Sequence, residues 1–529
     1  MKSGVWKVER EYKIQSSQTG GKRSIVDNVM VELAVIERNT YLNKTTYLTF
    51  ADVQKCFDRL WLEDGIKDLW MCGVDIRDAV MILKLNETAR ITVDTPVGMT
   101  DEFEVKNIVK QGTVYAVDIC CSVMDGINKT GHGIRTMYGP NLEINALAYI
   151  DDVTSAGSST TCNNTIQSCN YMEKKKKITF NTDIGKSAVM LSNKKKQNNS
   201  ITKKVKKGRF EEVTGYQLLG VWIDGTAKYM INIKKNQSRI KFMINSVKAY
   251  ANDHTMGCLA VSARIKMTEI GIIPAILHGV EAFPSLTKEE ENELEKLQAK
   301  IIRDMMEVPQ TTSYNALLLE LGILTMKARV DYRKLMLYHN LSNSDDRRIA
   351  KNLIIEQKKM NRKGTWFNRV QEIMVEYEID DNPQKVLKSG WKKNVKQKIR
   401  EKTEEKLRKD GETLSKSRTA LLEKYEMKEY LKETTTYQAK QILKSRLHMM
   451  KIPCNYKSNE GDGCWLCGHE DKIRTEHYYE CKGTARLHRN WSAKIEDLTK
   501  MDTMALIRTS MFLEKVVEVF KPKWETKDD

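Results

Sequence analysis

The chain has 529 residues, 40% of them hydrophobic and 30% charged, which is the profile of folded domains and too long for one ordinary core. Lysine and arginine number 88 against 70 acidic residues; the net charge of +18 favours polyanionic partners, nucleic acid first, though a solvated basic surface has the same census. No uninterrupted apolar run is long enough to cross a bilayer, and residues 1–20 carry no apolar segment of a secretory signal, so no membrane partner is expected. The 11 cysteines read as reduced packing residues, except for a cluster near the end.

In chain order, Thr46 to Ala51 is a β-branched and aromatic run that ends at Asp52. Ala146 to Ile150 is a second short apolar run and ends at Asp151-Asp152. Both suit buried strands, as does Tyr216 to Trp222. Basic clusters stand at Lys174 to Lys177, Lys194 to Lys196 and Lys203 to Lys207. After about residue 230 the pattern turns helical. Thr287 and Glu290 have the spacing of a capping box, and Leu294, Leu297, Ile301 and Met305 recur at helical spacing before Pro309. Helices are expected over 231–341. From 351 to 444 the chain is rich in lysine and glutamate with sparse apolar residues, which predicts long exposed helices acting as a connector.

A carboxylate just past each of the first two strands would sit where solvent and a cation reach it. An in-line phosphoryl transfer needs charge stabilisation at the attacking and leaving oxygens, and two Mg²⁺ ions held by hard carboxylate oxygens supply it. Asp52, Asp151 and Asp152 have the chemistry for that. An Asp-Asp pair after a strand is by itself more often the mark of a plain turn.

The neighbouring residues sharpen the reading. In order, Phe50-Ala51-Asp52 with Lys55-Cys56-Phe57-Asp58, then Val109 to Thr113, Ala148 to Asp152, Phe180-Asn181 with Gly185 to Met190, and Tyr216 to Val221 resemble the palm motifs of non-LTR retrotransposon reverse transcriptases. Gly20 to Asn28 resembles the element just before that palm. The resemblance runs from about Thr19 to the terminal cysteines. It implies an RNA-directed DNA polymerase with two Mg²⁺ held by Asp52, Asp151 and Asp152, acting on an RNA template, a DNA primer and dNTPs. Phe57 falls where the family places an aromatic ring under the sugar, where it would exclude a 2′-OH; ordinary packing is its alternative. Gln111 and Gly112 match the loop beside the incoming nucleotide, with Tyr149 beside the aspartates. Lys186 stands where a basic residue assists pyrophosphate departure or is merely solvated, and Asp58 reads as structural.

Cys464, Cys467, His477 and Cys481 form a C-x₂-C-x₉-H-x₃-C pattern, which grips a tetrahedral Zn²⁺ from two sides. His469 and Cys454 are rival ligands; His469 is too near Cys467 for an easy cage. The family often carries such a cluster. Trp465, Tyr478 and Tyr479 would stack on bases or pack around the zinc.

The fold class that follows is α+β: a residual fingers element (1–45), a right-hand polymerase palm (46–230), a helical thumb (231–341), a basic helical connector (342–450), and a zinc knuckle with a helical tail (451–529). Only some twenty residues precede Gly21, so fingers and any upstream endonuclease are expected to be missing, as in a 5′-truncated copy. The alternative reading is a catalytically inactive nucleic-acid-binding remnant; a group II intron maturase fits the terminal cluster less well. The expected location is nuclear and cytoplasmic, as a retroelement ribonucleoprotein.

Overall fold

The computed structural model describes residues 24–192, 210–251, 259–412 and 424–447, with breaks at 88, 106–108, 111, 114 and 381; beyond those it describes 464, 466–469, 477, 481–487 and 502–520. Helix α1 (Ile25–Tyr41) opens on Ser24, whose Oγ accepts the Val26 N–H. It is buried over most of its circumference, with Val29, Met30, Leu33 and Ile36 all in the core. A helix apolar on several sides has to be enclosed, and α1 is.

Strand β1 (Tyr47–Ala51) follows, then α2 (Cys56–Arg59), α3 (Leu62–Met71) and α4 (Ile76–Glu87). A narrow ribbon comes next, made of β2 (Ala89–Ile91), β3 (Asp94–Thr95), β4 (Gly98–Met99) and β5 (Phe103–Val105). After α5 (Ala116–Met124), two hairpins succeed one another: β6 (Thr136–Tyr138) with β7 (Leu142–Ile144), and β8 (Leu147–Tyr149) with β9 (Asp152–Gly157). Helix α6 (Ser159–Lys176) leads to β10 (Ala188–Leu191) and β11 (Glu211–Val213).

The main sheet has the order β11-β10-β1-β9-β8, with β1 in the middle and antiparallel to both β9 and β10. Alternation along β1 divides the core. Leu48 and Phe50 face the side that α1 covers, whereas Tyr47 and Ala51 face the side of α5 and α6. The stretch 216–222, expected as one strand, is a hairpin instead: β12 (Gly215–Leu218) turns back as β13 (Val221–Asp224). Leu219 and Gly220 both have positive φ (50° and 83°), the two-residue turn whose twist suits a hairpin.

The rest is helical: α7 (Met230–Ala251), α8 (Val261–Met267), α9 (Ile273–Ile276), α10 (Lys288–Met306), α11 (Tyr314–Leu321), α12 (Met326–Ser342), α13 (Ile349–Met360), α14 (Trp366–Glu376), α15 (Lys388–Glu412), α16 (Tyr430–Glu433), α17 (Thr436–Arg446) and α18 (Thr503–Phe520). The Thr287–Glu290 capping box forms as its spacing predicts, and α10 ends at Glu307 in the left-handed region ahead of Pro309. Among the described residues no helix is long and apolar enough to cross a membrane.

Residues 351–444 are more deeply built in than an exposed connector. Their apolar side chains are few but collect on single faces. On α15, Trp391, Val395, Ile399 and Leu407 are all buried, and Trp366 of α14 is buried with its Nε1 donating to the Glu281 carbonyl at 2.6 Å. Fully buried Arg446 pairs with Glu320, whose other oxygen accepts from the Tyr430 hydroxyl at 2.8 Å. Density of apolar residues underestimates burial when the few present share one stripe.

Candidate active site and metal-ligand cluster

Strand pairing assembles the aspartates. The β1–β9 register sets Ala51 opposite Val153, so the next residues, Asp52 and Asp152, stand across from one another. In the β8–β9 hairpin Tyr149 pairs with Asp152, which leaves Ile150 and Asp151 as the turn. Ile150 has φ +59°, an unusual conformation for a β-branched side chain and a strain of roughly 1–3 kcal/mol. That turn carries Asp151 to the tip beside the other two.

The segment that follows α6 closes one side. The Asp52 amide donates to the Ser187 hydroxyl at 3.2 Å, and the Asp52 carbonyl accepts from the Asn181 amide at 2.7 Å. Lys186 brings its Nζ to 3.8 Å from Asp52 Oδ2, with about half of its side chain in solvent. The Tyr216 ring of β12 stacks on Phe50 with centroids 4.1 Å apart, and its hydroxyl donates to the Lys186 carbonyl at 2.6 Å.

Burial and charge crowding act together in this corner. Burial, then the charges of Asp151 and Asp52, push the Asp152 carboxyl up to about 7, with Lys186 opposing them. Asp151 is raised for the same reasons, burial first. Among the described residues, the set of three or more ligand atoms that all lie close enough to share a single ion is the C-terminal one of three cysteines and a histidine. Lys186 offsets only part of the mutual repulsion of the aspartate carboxylates, and a cation among them would relieve the rest. Hard oxygens around a site that disfavours its own ionisation suit divalent cations such as Mg²⁺.

Beneath this corner lies Glu32 of α1, 1% exposed. Its Oε1 accepts from Thr154 Oγ1 at 2.7 Å, and its Oε2 has no hydrogen-bond partner among the described residues. Burial pushes its carboxyl up to about 7. The folded state therefore holds a proton that the unfolded chain releases near 4.5. Its contribution to stability is fully present below that value and is lost as pH rises through about 7. Glu32→Gln should flatten this part of the stability–pH curve by on the order of 3 kcal/mol, read as the difference between the two proteins' denaturant midpoints from pH 4 to 8.

Residues 8–223 match the family model described as reverse transcriptase (RNA-dependent DNA polymerase). Residues 8–223 are a reverse transcriptase domain. Such a domain is that of an RNA-directed DNA polymerase. No curated protein matches the chain. Among solved structures, one similar chain belongs to telomerase from Candida albicans in complex with a fragment of telomeric RNA. The two are 9% identical with a TM-score of 0.32, over 70% of this chain and 57% of that one.

Within the reverse transcriptase domain, Phe57 sits on α2, half-buried at the edge of the second core, and its carbonyl accepts from the Val109 amide at 3.2 Å. This contact lays α2 along the loop that carries Gly112. Gly112 has φ +84° with nothing within 4 Å of where a Cβ would stand, so a ligand can approach its backbone. Gln111 lies outside the described residues. Tyr149 is half-buried, and burial raises its hydroxyl. Asp58 is exposed in the first turn of α2. Tyr216, Ser187 and Glu32 were not legible as site residues. Tyr216 joins the corner through long-range contacts with Phe50 and Lys186 that carry no local signal, and Glu32 shows only as one acid among the apolar residues of α1.

Beyond the domain, Cys464, Cys467, His477 and Cys481 bring their ligand atoms within 4.8 Å of one another. The Cys464–Cys481 sulfurs are 3.7 Å apart, and Cys467 Sγ is 3.4 Å from His477 Nε2. A tetrahedron with metal–sulfur bonds of about 2.3 Å has edges of about 3.8 Å, so the set fits such an ion. Of the two histidines, His477 has its ring nitrogen grouped with the three sulfurs. The Cys464 amide donates to the His469 carbonyl at 2.7 Å, closing a tight turn, and the His469 ring stacks on His477 from outside the ligand set. Cys454, Trp465, Tyr478 and Tyr479 lie outside the described residues.

Proposed function

We propose that this chain is the polymerase portion of a non-LTR retrotransposon reverse transcriptase, which copies an RNA template by extending a DNA primer with dNTPs. The observation that carries the reading is the cross-strand placement of Asp52 and Asp152 with Asp151 at the adjoining hairpin tip. Those three carboxylates would hold two Mg²⁺ ions. When bound, the ions supply charge stabilisation to the attacking and leaving oxygens of the in-line displacement. Lys186 offers its ammonium to the departing pyrophosphate, and its place beside Asp52 supports that role. Phe57 stands by the Gly112 loop, where a ring would clash with a 2′-OH and select deoxynucleotides. Gln111, Gly112 and Tyr149 complete the nucleotide-binding surface of this reading. The site of action would be a retroelement ribonucleoprotein in cytoplasm and nucleus. Primer extension on an RNA template with Mg²⁺ tests it, with Asp151→Ala/Asp152→Ala as control. Extension by wild type alone is the expected result. Equal binding of primer–template by both proteins with extension by neither would make the chain a non-catalytic remnant.

The terminal set completes the reading as a zinc knuckle, supported by three cysteine sulfurs and one imidazole at tetrahedral spacing. Cys467→Ser is expected to lower bound zinc from one equivalent to a small fraction and to loosen the fold locally around 464–481. Metal analysis of the purified chain and limited proteolysis read both effects, and full zinc retention in the variant would exclude Cys467 as a ligand.

A further inference from the structure

The geometry points to a second RNA-binding surface outside the reverse transcriptase domain: the lysine stripe on the first half of α15, formed by Lys388, Lys392, Lys393 and Lys396, which takes the phosphate backbone of single-stranded RNA. All four side chains are exposed, and none makes an ion pair among the described residues. The two halves of α15 differ sharply. From 388 to 400 there is no acidic residue, whereas the second half carries Glu401, Glu404 and Glu405. There the basic residues are engaged: Lys402 with Glu378 and Glu405, and Arg408 with Glu404.

Local stability does not account for the stripe. Lys388–Lys392 and Lys392–Lys396 are like-charge pairs four residues apart, which destabilise a helix. The first turn has no acidic residue, so cations sit at the helix end where the dipole disfavours them. A polyanion lying along the stripe removes both penalties.

The platform is also rigid. Trp391 is fully buried, with its Nε1 donating to the Leu335 carbonyl at 3.2 Å and its ring 5.5 Å from that of His339. The turn ahead of α15 is held to the end of α12 by three hydrogen bonds. His339 Nε2 meets the Val386 carbonyl at 2.9 Å, Asn343 Nδ2 donates to the Pro383 carbonyl at 2.8 Å, and Gln384 Nε2 donates to the Ser342 carbonyl at 3.3 Å. With the helix anchored, the freedom lost on binding is confined to the four lysine side chains. The stripe spans about 12 Å at the α-helical rise, a few nucleotides of one strand. Single-stranded RNA conforms to such a straight row, and it is the polymer that an RNA-dependent polymerase brings to the protein.

The test uses the full chain and a fluorescent unstructured RNA of about 20 nucleotides, long enough to exceed a single binding site. Anisotropy is followed from about 50 to 200 mM salt. Lys388→Gln/Lys392→Gln/Lys393→Gln/Lys396→Gln should weaken binding about 10- to 100-fold and reduce the salt slope by about 3, close to four phosphate contacts on a single strand. The corresponding quadruple arginine variant should bind like wild type, and Lys392→Glu/Lys396→Glu should lose affinity without change in circular dichroism. An unchanged affinity and slope in the glutamine variant overturns the inference. So does a loss confined to duplex DNA, or to phosphatidylserine vesicles, with RNA binding intact. Because binding is read without catalysis, a chain that fails to extend primers leaves this inference standing.

Discussion

Asp152→Asn is expected to lower RNA-templated primer extension by about 10³-fold or more, equivalent to about 4 kcal/mol of transition-state stabilisation, while leaving thermal stability in chelator unchanged or raised. The two halves of this result have one cause. Asp152 sits across from Asp52 and beside Asp151, and its carboxyl is pushed up by burial and by both neighbours. Without cations the negative charge is a liability for the fold, so its removal costs no stability. With cations the same charge is what holds them. A residue serving mainly to support the fold shows the opposite pattern, in which activity falls only as far as stability does. Lys186→Gln should show a milder loss, about tenfold, because half of that side chain is in solvent and its 3.8 Å contact with Asp52 is weak. Single-turnover extension rates and melting curves in chelator decide the matter. An Asp152→Asn protein that extends at the wild-type rate removes these carboxylates from the chemistry.

The sequence made Asp52 and Asp152 legible as candidates, since each follows a short apolar run, while only the family resemblance, not any local signal, set them side by side. Their approach depends on β1 lying between β9 and β10, a long-range pairing with no local signal. The same limit hides Tyr216. An apolar run from 216 to 222 reads as one strand, whereas Leu219 and Gly220 at positive φ break it into a hairpin, and the stacking of Tyr216 on Phe50 is a contact between residues far apart in the chain. The terminal cluster was easier, because thiol and imidazole spacing within 18 residues is itself short-range geometry. Between His469 and His477 spacing already favoured His477, since His469 stands too near Cys467 for an easy cage, and His477 is the histidine grouped with the three sulfurs. On α15 the lysines advertise solvent, and the four apolar residues that bury its other face are too widely spaced to dominate a local average.

Arg348→Met should destabilise the protein by about 3–5 kcal/mol, the cost of leaving a buried charge without its counter-ion. Arg348 and Asp27 are 4% and 7% exposed and meet through two charge-assisted hydrogen bonds of 2.6 and 2.7 Å. Asp27 lies in the first turn of α1, whose N-terminal dipole offsets part of the loss and favours the lower end of that range. The pair is the anchor of a wider clasp between α13 and the reverse transcriptase domain. Arg362 pairs with Glu37, Gln357 Nε2 donates to the Tyr138 hydroxyl at 2.9 Å, and Asn141 Nδ2 donates to Glu356 at 3.3 Å. Helix α1 in turn packs under β8 and β9, the hairpin that presents Asp151 and Asp152. Helices beyond residue 223 thus hold the floor of the aspartate corner in place. The double variant Asp27→Asn/Arg348→Met should recover most of the lost stability, because neither partner is then a buried lone charge. Denaturant midpoints of the four proteins give the coupling directly, and additive losses would show that the two side chains do not act as a pair. Extension activity should follow the same order at 37 °C and converge near the wild-type rate on cooling, the signature of a residue that secures the domain without touching substrate.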